Sequence, residues 1–138
     1  MGRIVKYKDM AKIQNLSGMQ IYCGKFHTLE GTYFSVNRPL AEALLKIAQP
    51  ARTMQLERCL RSLLQNIPQD CILEDIDVLF NPAYQVDVLT MLVFLWRQTP
   101  FRLMWPGRVE NNTLIYSEEE RPDYRTFCID DYDILCVI

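Results

Sequence analysis

The chain has 138 residues, of which 49% are hydrophobic and 23% charged, with a formal net charge of −2 at pH 7. This composition is ordinary for a globular protein, and the length is sufficient for one domain with a buried core, which excludes global disorder. We expect a single domain over residues 1–138. Because the near-neutral charge provides no basic stripe, direct nucleic-acid binding is not predicted.

The five cysteines have no CxxC spacing and lie in apolar stretches, which is typical of reduced thiols in the core of a cytoplasmic protein. His27 is the only histidine, so we expect no zinc site and predict no metal site. The most hydrophobic window, Val86–Trp96, is shorter than the roughly 20 residues that span a membrane. No charged-then-apolar signal segment opens the chain. We therefore expect a cytoplasmic protein without membrane contact.

The first third of the chain predicts mostly extended structure. The apolar residues of Met1–Gln14 have the spacing of a short helix. This helix would either be an arm that docks on another surface or be frayed. Met19–Phe26 and Thr32–Val36 are rich in β-branched and aromatic residues and predict two strands. The five residues between them suit a hairpin or an abbreviated connection better than the crossover that parallel neighbours need.

Two helices follow. Asn37 is a suitable N-cap for a helix over Leu40–Ala48, which Pro50 would end. Thr53–Asn66 predicts a second helix, because its leucines recur at helical spacing and form one apolar face.

The run Cys71–Phe80 predicts the strand at the centre of the sheet, since it is short and apolar throughout. It carries three carboxylates, Glu74, Asp75 and Asp77. A third, largely buried helix is predicted over Ala83–Gln98, followed by a strand over Phe101–Trp105. The alternation of strands and helices indicates right-handed βαβ units.

The carboxyl-terminal part departs from this alternation. Short strands are predicted at Thr113–Tyr116 and Thr126–Ile129, and Ile134–Ile138 is predicted to dock as an edge strand. The fold class that results is α/β, with a mostly parallel sheet, flanking helices and a short antiparallel β extension at the C-terminus. Ser117–Asp133 holds seven acids against two arginines, which gives this segment a charge of −5. It is either a solvated loop or a docking surface.

Acids at the end of a buried strand can hold Mg²⁺ and polarise an attacking water in phosphoryl transfer. Glu74 and Asp77 are the candidate catalytic residues on this interpretation, although acids at strand ends are also common without any catalytic role. Arg97, near the end of the third predicted helix, is a candidate phosphate or subunit contact. The helix dipole attracts a cation to the same place without any function.

The order of elements and several motifs resemble the BrxF family, small P-loop proteins of the type 3 BREX phage-defence systems. The resemblance runs over about residues 32–125. It includes the Walker-B-like strand ILEDIDVLFNP, the turn WPG and the stretch TLIYSEEERPDYR. It implies a P-loop-NTPase-like fold and a role in a bacterial antiviral complex.

The chain departs from the family at the phosphate-binding loop, G-x-x-x-x-G-K-[ST], whose backbone N–H groups cradle phosphates. Of this loop only Gly24 and Lys25 are present, and together with Arg97 they are the candidate cofactor-binding residues. We therefore expect a non-catalytic or degenerate member, without a cofactor, that acts by binding other proteins of a defence complex. A homo-oligomer is left open. The alternatives are an active ATPase that binds Mg²⁺ and ATP, and an unrelated α/β interaction module.

Overall fold

The computed structural model of the chain describes residues 2–14, 16–24, 26 and 29–138. Within these residues the chain forms a six-stranded sheet, a three-stranded sheet and three α-helices. The strands, in chain order, are β1 (Arg3–Val5), β2 (Met19–Tyr22), β3 (Tyr33–Ser35), β4 (Ile72–Glu74), β5 (Arg102–Met104), β6 (Arg108–Glu110), β7 (Thr113–Tyr116), β8 (Arg125–Cys128) and β9 (Ile134–Val137). The helices are α1 (Asn37–Leu45), α2 (Arg52–Leu64) and α3 (Val88–Gln98).

The larger sheet has the strand order β1-β9-β2-β5-β4-β3, and every neighbouring pair in it is parallel. The smaller sheet, β6-β7-β8, is antiparallel and is inserted between β5 and β9. The predicted α/β class with a mostly parallel sheet and helices is confirmed, but the antiparallel strands form an insertion before β9 and not the predicted extension at the C-terminus.

The two faces of the parallel sheet are covered differently. Leu73 and Leu103 point into a large apolar cluster that includes the three helices and the small sheet. Ile72 and Val137 point to the other face, into a small cluster with part of the 3-10 helix Tyr7–Lys12. This division follows from right-handed crossovers, since the chain moves across the sheet in opposite directions before and after β3. All three α-helices therefore cover one face.

The predicted helices are present with shifted bounds. The periodicity of α2 is confirmed, because Leu56, Leu60 and Leu64 are all buried. α3 begins five residues later than predicted, at Val88, because the Asp87 side chain caps the helix by accepting a hydrogen bond from the Thr90 N–H at 3.1 Å. No helix within the described residues is both long and apolar enough to cross a bilayer.

The run Cys71–Phe80 is only partly a strand, so the prediction of a long central strand is wrong. β4 ends at Glu74, because Asp75 takes a positive φ of 51° that extended structure does not allow. Asp77–Phe80 then forms a 3-10 helix whose apolar side chains pack into the large cluster. β4 lies second from an edge of the sheet, between β5 and β3.

Two predictions near the N-terminus are also wrong, namely the hairpin and the short helix, whereas the alternative of an abbreviated connection agrees with the ten residues 23–32. β2 and β3 do not form a hairpin: they belong to one parallel sheet, with β5 and β4 between them. The connection 23–32 crosses the sheet, and none of its described residues is helical. The predicted N-terminal helix is replaced by β1, which pairs with β9, and the short 3-10 helix.

The predicted edge strand at the C-terminus is an interior strand. β9 pairs with β1 on one side and with β2 on the other, and all four of its side chains are buried. Its run of apolar residues suits burial on both faces of a parallel sheet. β9 is therefore already paired along both edges, and it cannot also add to a neighbouring protein.

The prediction that all five cysteines lie in the core is confirmed in part. Cys23, Cys71 and Cys136 are buried, Cys59 is half-buried and Cys128 is exposed. The hydrogen-bonding contact with Cys136, together with burial, raises the pKa of the Cys23 thiol.

Candidate functional site

The candidate acids lie where β4 ends, at the carboxyl edge of the parallel sheet. Parallel α/β sheets commonly bind ligands outside this edge. Two backbone bonds continue the pairing of β3 with β4 beyond the strands: Val36 N–H donates to the Glu74 carbonyl at 3.0 Å, and Asn37 N–H donates to the Asp75 carbonyl at 2.8 Å. The loop that carries the acids is thereby held against the start of α1.

Glu74 is the last residue of β4 and is half-buried. It alternates with Leu73, so its side chain stands on the face of the sheet away from the three helices. Within the described residues its carboxylate has neither a hydrogen bond nor an ion pair. It is the one candidate acid at this edge whose oxygens are uncommitted there.

Asp77 is exposed, but both of its carboxylate oxygens are occupied. The Tyr116 hydroxyl donates to Oδ1 at 2.9 Å, and Asn37 Nδ2 donates to Oδ2 at 3.3 Å. Asn37 Oδ1 in turn accepts a bond from the Val78 N–H at 2.8 Å. Asp77 therefore connects α1, the loop after β4 and the small antiparallel sheet.

Tyr116 reinforces this connection through its ring. The ring stacks on Phe80 with centroids 3.9 Å apart and an angle of 11° between the planes. Burial, followed by the hydrogen bond to Asp77, raises the pKa of Tyr116 above its ordinary value. The phenol is therefore a neutral hydrogen-bond donor to Asp77 at neutral pH.

Asp75 is likewise engaged at the same edge. Ser35 Oγ donates to Asp75 Oδ2 at 2.7 Å, which joins the ends of β3 and β4. Asp77, Asn37, Tyr116 and Asp123 border an open cleft of about 580 Å³. Among the described residues, no three His, Cys, Asp or Glu side chains are grouped so that they could hold a metal ion.

Gly24 lies just after β2, near the middle of the same edge. Its φ of +117° is one that glycine adopts readily, and an added Cβ would meet only Phe26 Cε2, at 3.9 Å. Lys25 lies outside the described residues. The structure thus places Gly24 and Glu74 at the same edge of the sheet, on β2 and β4, with β5 between these strands.

Arg97 lies elsewhere. It is in the last turn of α3, and its guanidinium is 3.7 Å from Asp133 Oδ2, just before β9 begins. That position is the amino edge of the sheet, opposite the edge that carries Glu74, Asp77 and Gly24. Arg97 is therefore not brought together with the other candidate residues.

The residues that engage the acids were not identified from the sequence as parts of a site. Tyr116 is 39 residues from Asp77, and no local pattern marks so distant a partner. Asn37 was identified as a helix cap, and the structure makes it the first residue of α1 and a partner of Asp77. Comparison with protein-family models, with curated proteins and with solved structures finds no match to this chain.

Proposed function

We propose that this chain is a non-catalytic, P-loop-like component of a bacterial phage-defence system of the BREX type, and that it acts by binding other proteins. The observation that carries the proposal is the connection between β2 and β3. It has ten residues, 23–32, and none of its described residues is helical. A phosphate-binding loop followed by a helix, whose N-terminus would complete the anion site, needs a longer connection.

The state of two of the three acids supports the same proposal, whereas the uncommitted carboxylate of Glu74 favours the ATPase alternative. Catalysis of phosphoryl transfer needs carboxylates free to position Mg²⁺ or water. Asp77 instead has both oxygens engaged by Tyr116 and Asn37, and Asp75 is engaged by Ser35. These bonds join elements of the fold, which is the role expected after an ancestral site has lost its ligand.

The topology supports a P-loop-like origin. Open α/β folds bind ligands outside the carboxyl ends of their parallel strands, and the candidate residues Gly24 and Glu74 both lie there. Here β5 lies between β2, which leads to Gly24, and β4, which carries Glu74. The same arrangement favours the second candidate, an ATPase with an unusual loop at Gly24 and Lys25.

The surface favoured for protein binding is the acidic segment of residues 117–133, which contains seven acids. Glu119 and Glu120 are exposed in the loop between β7 and β8, and Glu118 lies 3.7 Å from Arg108. An exposed patch of one sign speeds and orients association with a basic partner.

Co-purification from the native host tests this function. Replacing Glu118, Glu119 and Glu120 by lysine is expected to weaken the association with the partner in a salt-dependent manner. Replacing the same three residues by glutamine should weaken the association less. The BREX assignment further predicts a methyltransferase and a large ATPase encoded beside this gene. If both triple variants retain the partners equally, the acidic segment is not the binding surface. If the neighbouring genes are unrelated to BREX systems, the BREX assignment is wrong.

A further inference from the structure

A groove lies on the outer side of α1 and α2, away from the sheet. The inner sides of these helices are buried through Leu40 and Leu44 of α1 and the leucines of α2. The groove has a volume of about 480 Å³, and its lining includes Ala43, Ile47, Cys59 and Leu63. It belongs to neither the acidic segment nor the carboxyl edge.

The lining follows both helices. On α2, Gln55, Cys59 and Ser62 recur at i, i+4 and i+7, which places them on one side of the helix. On α1 and the turn after it, Ala43 and Ile47 lie one turn apart. The lining therefore follows α2 over about 10 Å, the length of two helical turns, and its small side chains are Cys59 and Ser62 on α2 with Ala43 on α1. A groove of this kind suits the apolar side of a third helix.

The charge at the groove is positive. Residues 37–67 contain five bases and two acids. Arg58 lines the groove, and exposed Lys46 directly precedes the lining residue Ile47; in the part of the chain that the structure describes, neither base makes an ion pair. The two acids are already engaged, since Glu42 pairs with Arg38 and Glu57 pairs with Arg61.

Charge also decides which occupant fits. A symmetric dimer through this groove would place a positively charged surface against a second copy of itself, and like charges oppose that contact. The acidic segment of a second copy is a poor occupant, because the described residues 117–124 are not helical and offer no apolar stripe. A helix with an apolar stripe flanked by acids complements both the lining and the bases.

We propose that the groove between α1 and α2 is the docking site for an acidic amphipathic helix of a partner protein. The proposal rests on the proposed function, since it names the chemistry of one partner, and it uses a surface different from the acidic segment. The expected anchors are leucine-like side chains at i, i+3/i+4 and i+7, with glutamate or aspartate beside Arg58 and Lys46.

A designed peptide is a direct probe. It would be about 18 residues long, or five helical turns, with leucines on one side and glutamates on the others. Its matched control carries lysine in place of every glutamate. Fluorescence anisotropy with the full chain should show saturable binding of the acidic peptide and none of the basic one, and Arg58→Glu should weaken the acidic peptide about tenfold.

Two internal controls restrict the result to the groove. Arg38→Glu changes an arginine of α1 that is 88% exposed and lies outside the lining, so it should leave the affinity unchanged. Bound peptide should slow alkylation of Cys59, which lines the groove, but not of exposed Cys128, as measured by mass spectrometry. Unfolding curves of both arginine variants establish that they are folded.

Any of several results would overturn the proposal. These are absence of saturable binding, equal binding of the two peptides, equal weakening by Arg58→Glu and Arg38→Glu, and equal protection of Cys59 and Cys128. Self-association abolished by Ala43→Trp in analytical ultracentrifugation would assign the groove to a second copy instead. If the native partners still co-purify while the peptide fails, the proposed function stands and only this groove is wrong.

Discussion

The ends of β2 and β4 lie at the same edge of one sheet but are built differently. After β4, backbone bonds and the side chains of Asp75 and Asp77 join the loop to β3, α1 and β7. After β2, the chain passes through exposed Gly24, where an added Cβ would meet only one atom within 4 Å. A nucleotide enzyme needs an elaborate loop after the first strand and uncommitted acids after the second, and of the three acids at the end of β4 only Glu74 is uncommitted within the described residues. Within the described residues, the side chains of Asp75 and Asp77 at this edge join separate parts of the fold.

The largest expected effect concerns the body of β4, which anchors its loop. Leu73 is completely buried, so Leu73→Ala should lower the free energy of unfolding by about 2–5 kcal/mol through lost burial and a cavity. Chemical denaturation measures this, with Leu45→Ala, at a 70% exposed position, as the matched control. A loss for Leu73→Ala no larger than that for Leu45→Ala would show that β4 is not an interior strand.

Asp77 should matter for stability and Glu74 should not. Asp77→Ala leaves the Tyr116 hydroxyl and the Asn37 amide without their acceptor, which should cost about 1–3 kcal/mol. Glu74→Gln should change stability by less than about 0.5 kcal/mol, because that carboxylate has no partner within the described residues. A double-mutant cycle with Tyr116→Phe isolates the Asp77–Tyr116 bond, and strictly additive losses would contradict the connection described here.

Gly24 tests the other half of the comparison. Gly24→Ala should cost about 1 kcal/mol, because its φ of +117° strains any residue with a Cβ although space is available. The variant should still bind its partners as the unchanged chain does. Reduced co-purification at equal stability would instead show that a ligand or partner approaches the backbone at Gly24.

Alkaline pH offers a smaller and more specific test. The pKa of Tyr116 is raised by burial and by Asp77, so the unfolded phenol loses its proton first. This contribution to stability is present below the ordinary tyrosine pKa near 10 and is lost as the pH rises above it toward the folded pKa. Denaturant midpoints should fall less steeply above about pH 10 in Tyr116→Phe than in the unchanged chain. Denaturant midpoints that fall equally steeply with pH in both proteins would show that Tyr116 does not have a raised pKa in the folded state.

The sequence predicted the features that depend on interactions between neighbouring residues, and it missed those that depend on contacts between distant residues. The leucine spacing of α2 is a local signal, and it predicted both the helix and its buried side. The run Cys71–Phe80 was misjudged because strand and 3-10 helix are both apolar when buried, and only the positive φ of Asp75 separates them. The interior position of β9 depends on pairing with residues more than a hundred positions away.

The same limit applies to the site. Glu74 and Asp77 were identified because acids that interrupt an apolar run are visible in the sequence. Their different environments were not predictable, since Tyr116 reaches Asp77 from a separate sheet. Arg97 was named as a candidate phosphate contact because it lies near the end of a predicted helix, whereas the direction of α3 carries it to the opposite edge of the sheet.

Titration calorimetry with Mg²⁺ and ATP tests the central claim most directly, namely that this edge has no working nucleotide site. A phosphate needs several converging N–H donors and a lysine, and Gly24 and Lys25 are the only residues after β2 that match part of the phosphate-loop motif. We predict no binding in the micromolar range for the unchanged chain. A saturable micromolar isotherm that is lost in both Lys25→Ala and Glu74→Gln would contradict the account and establish the ATPase alternative as the better one.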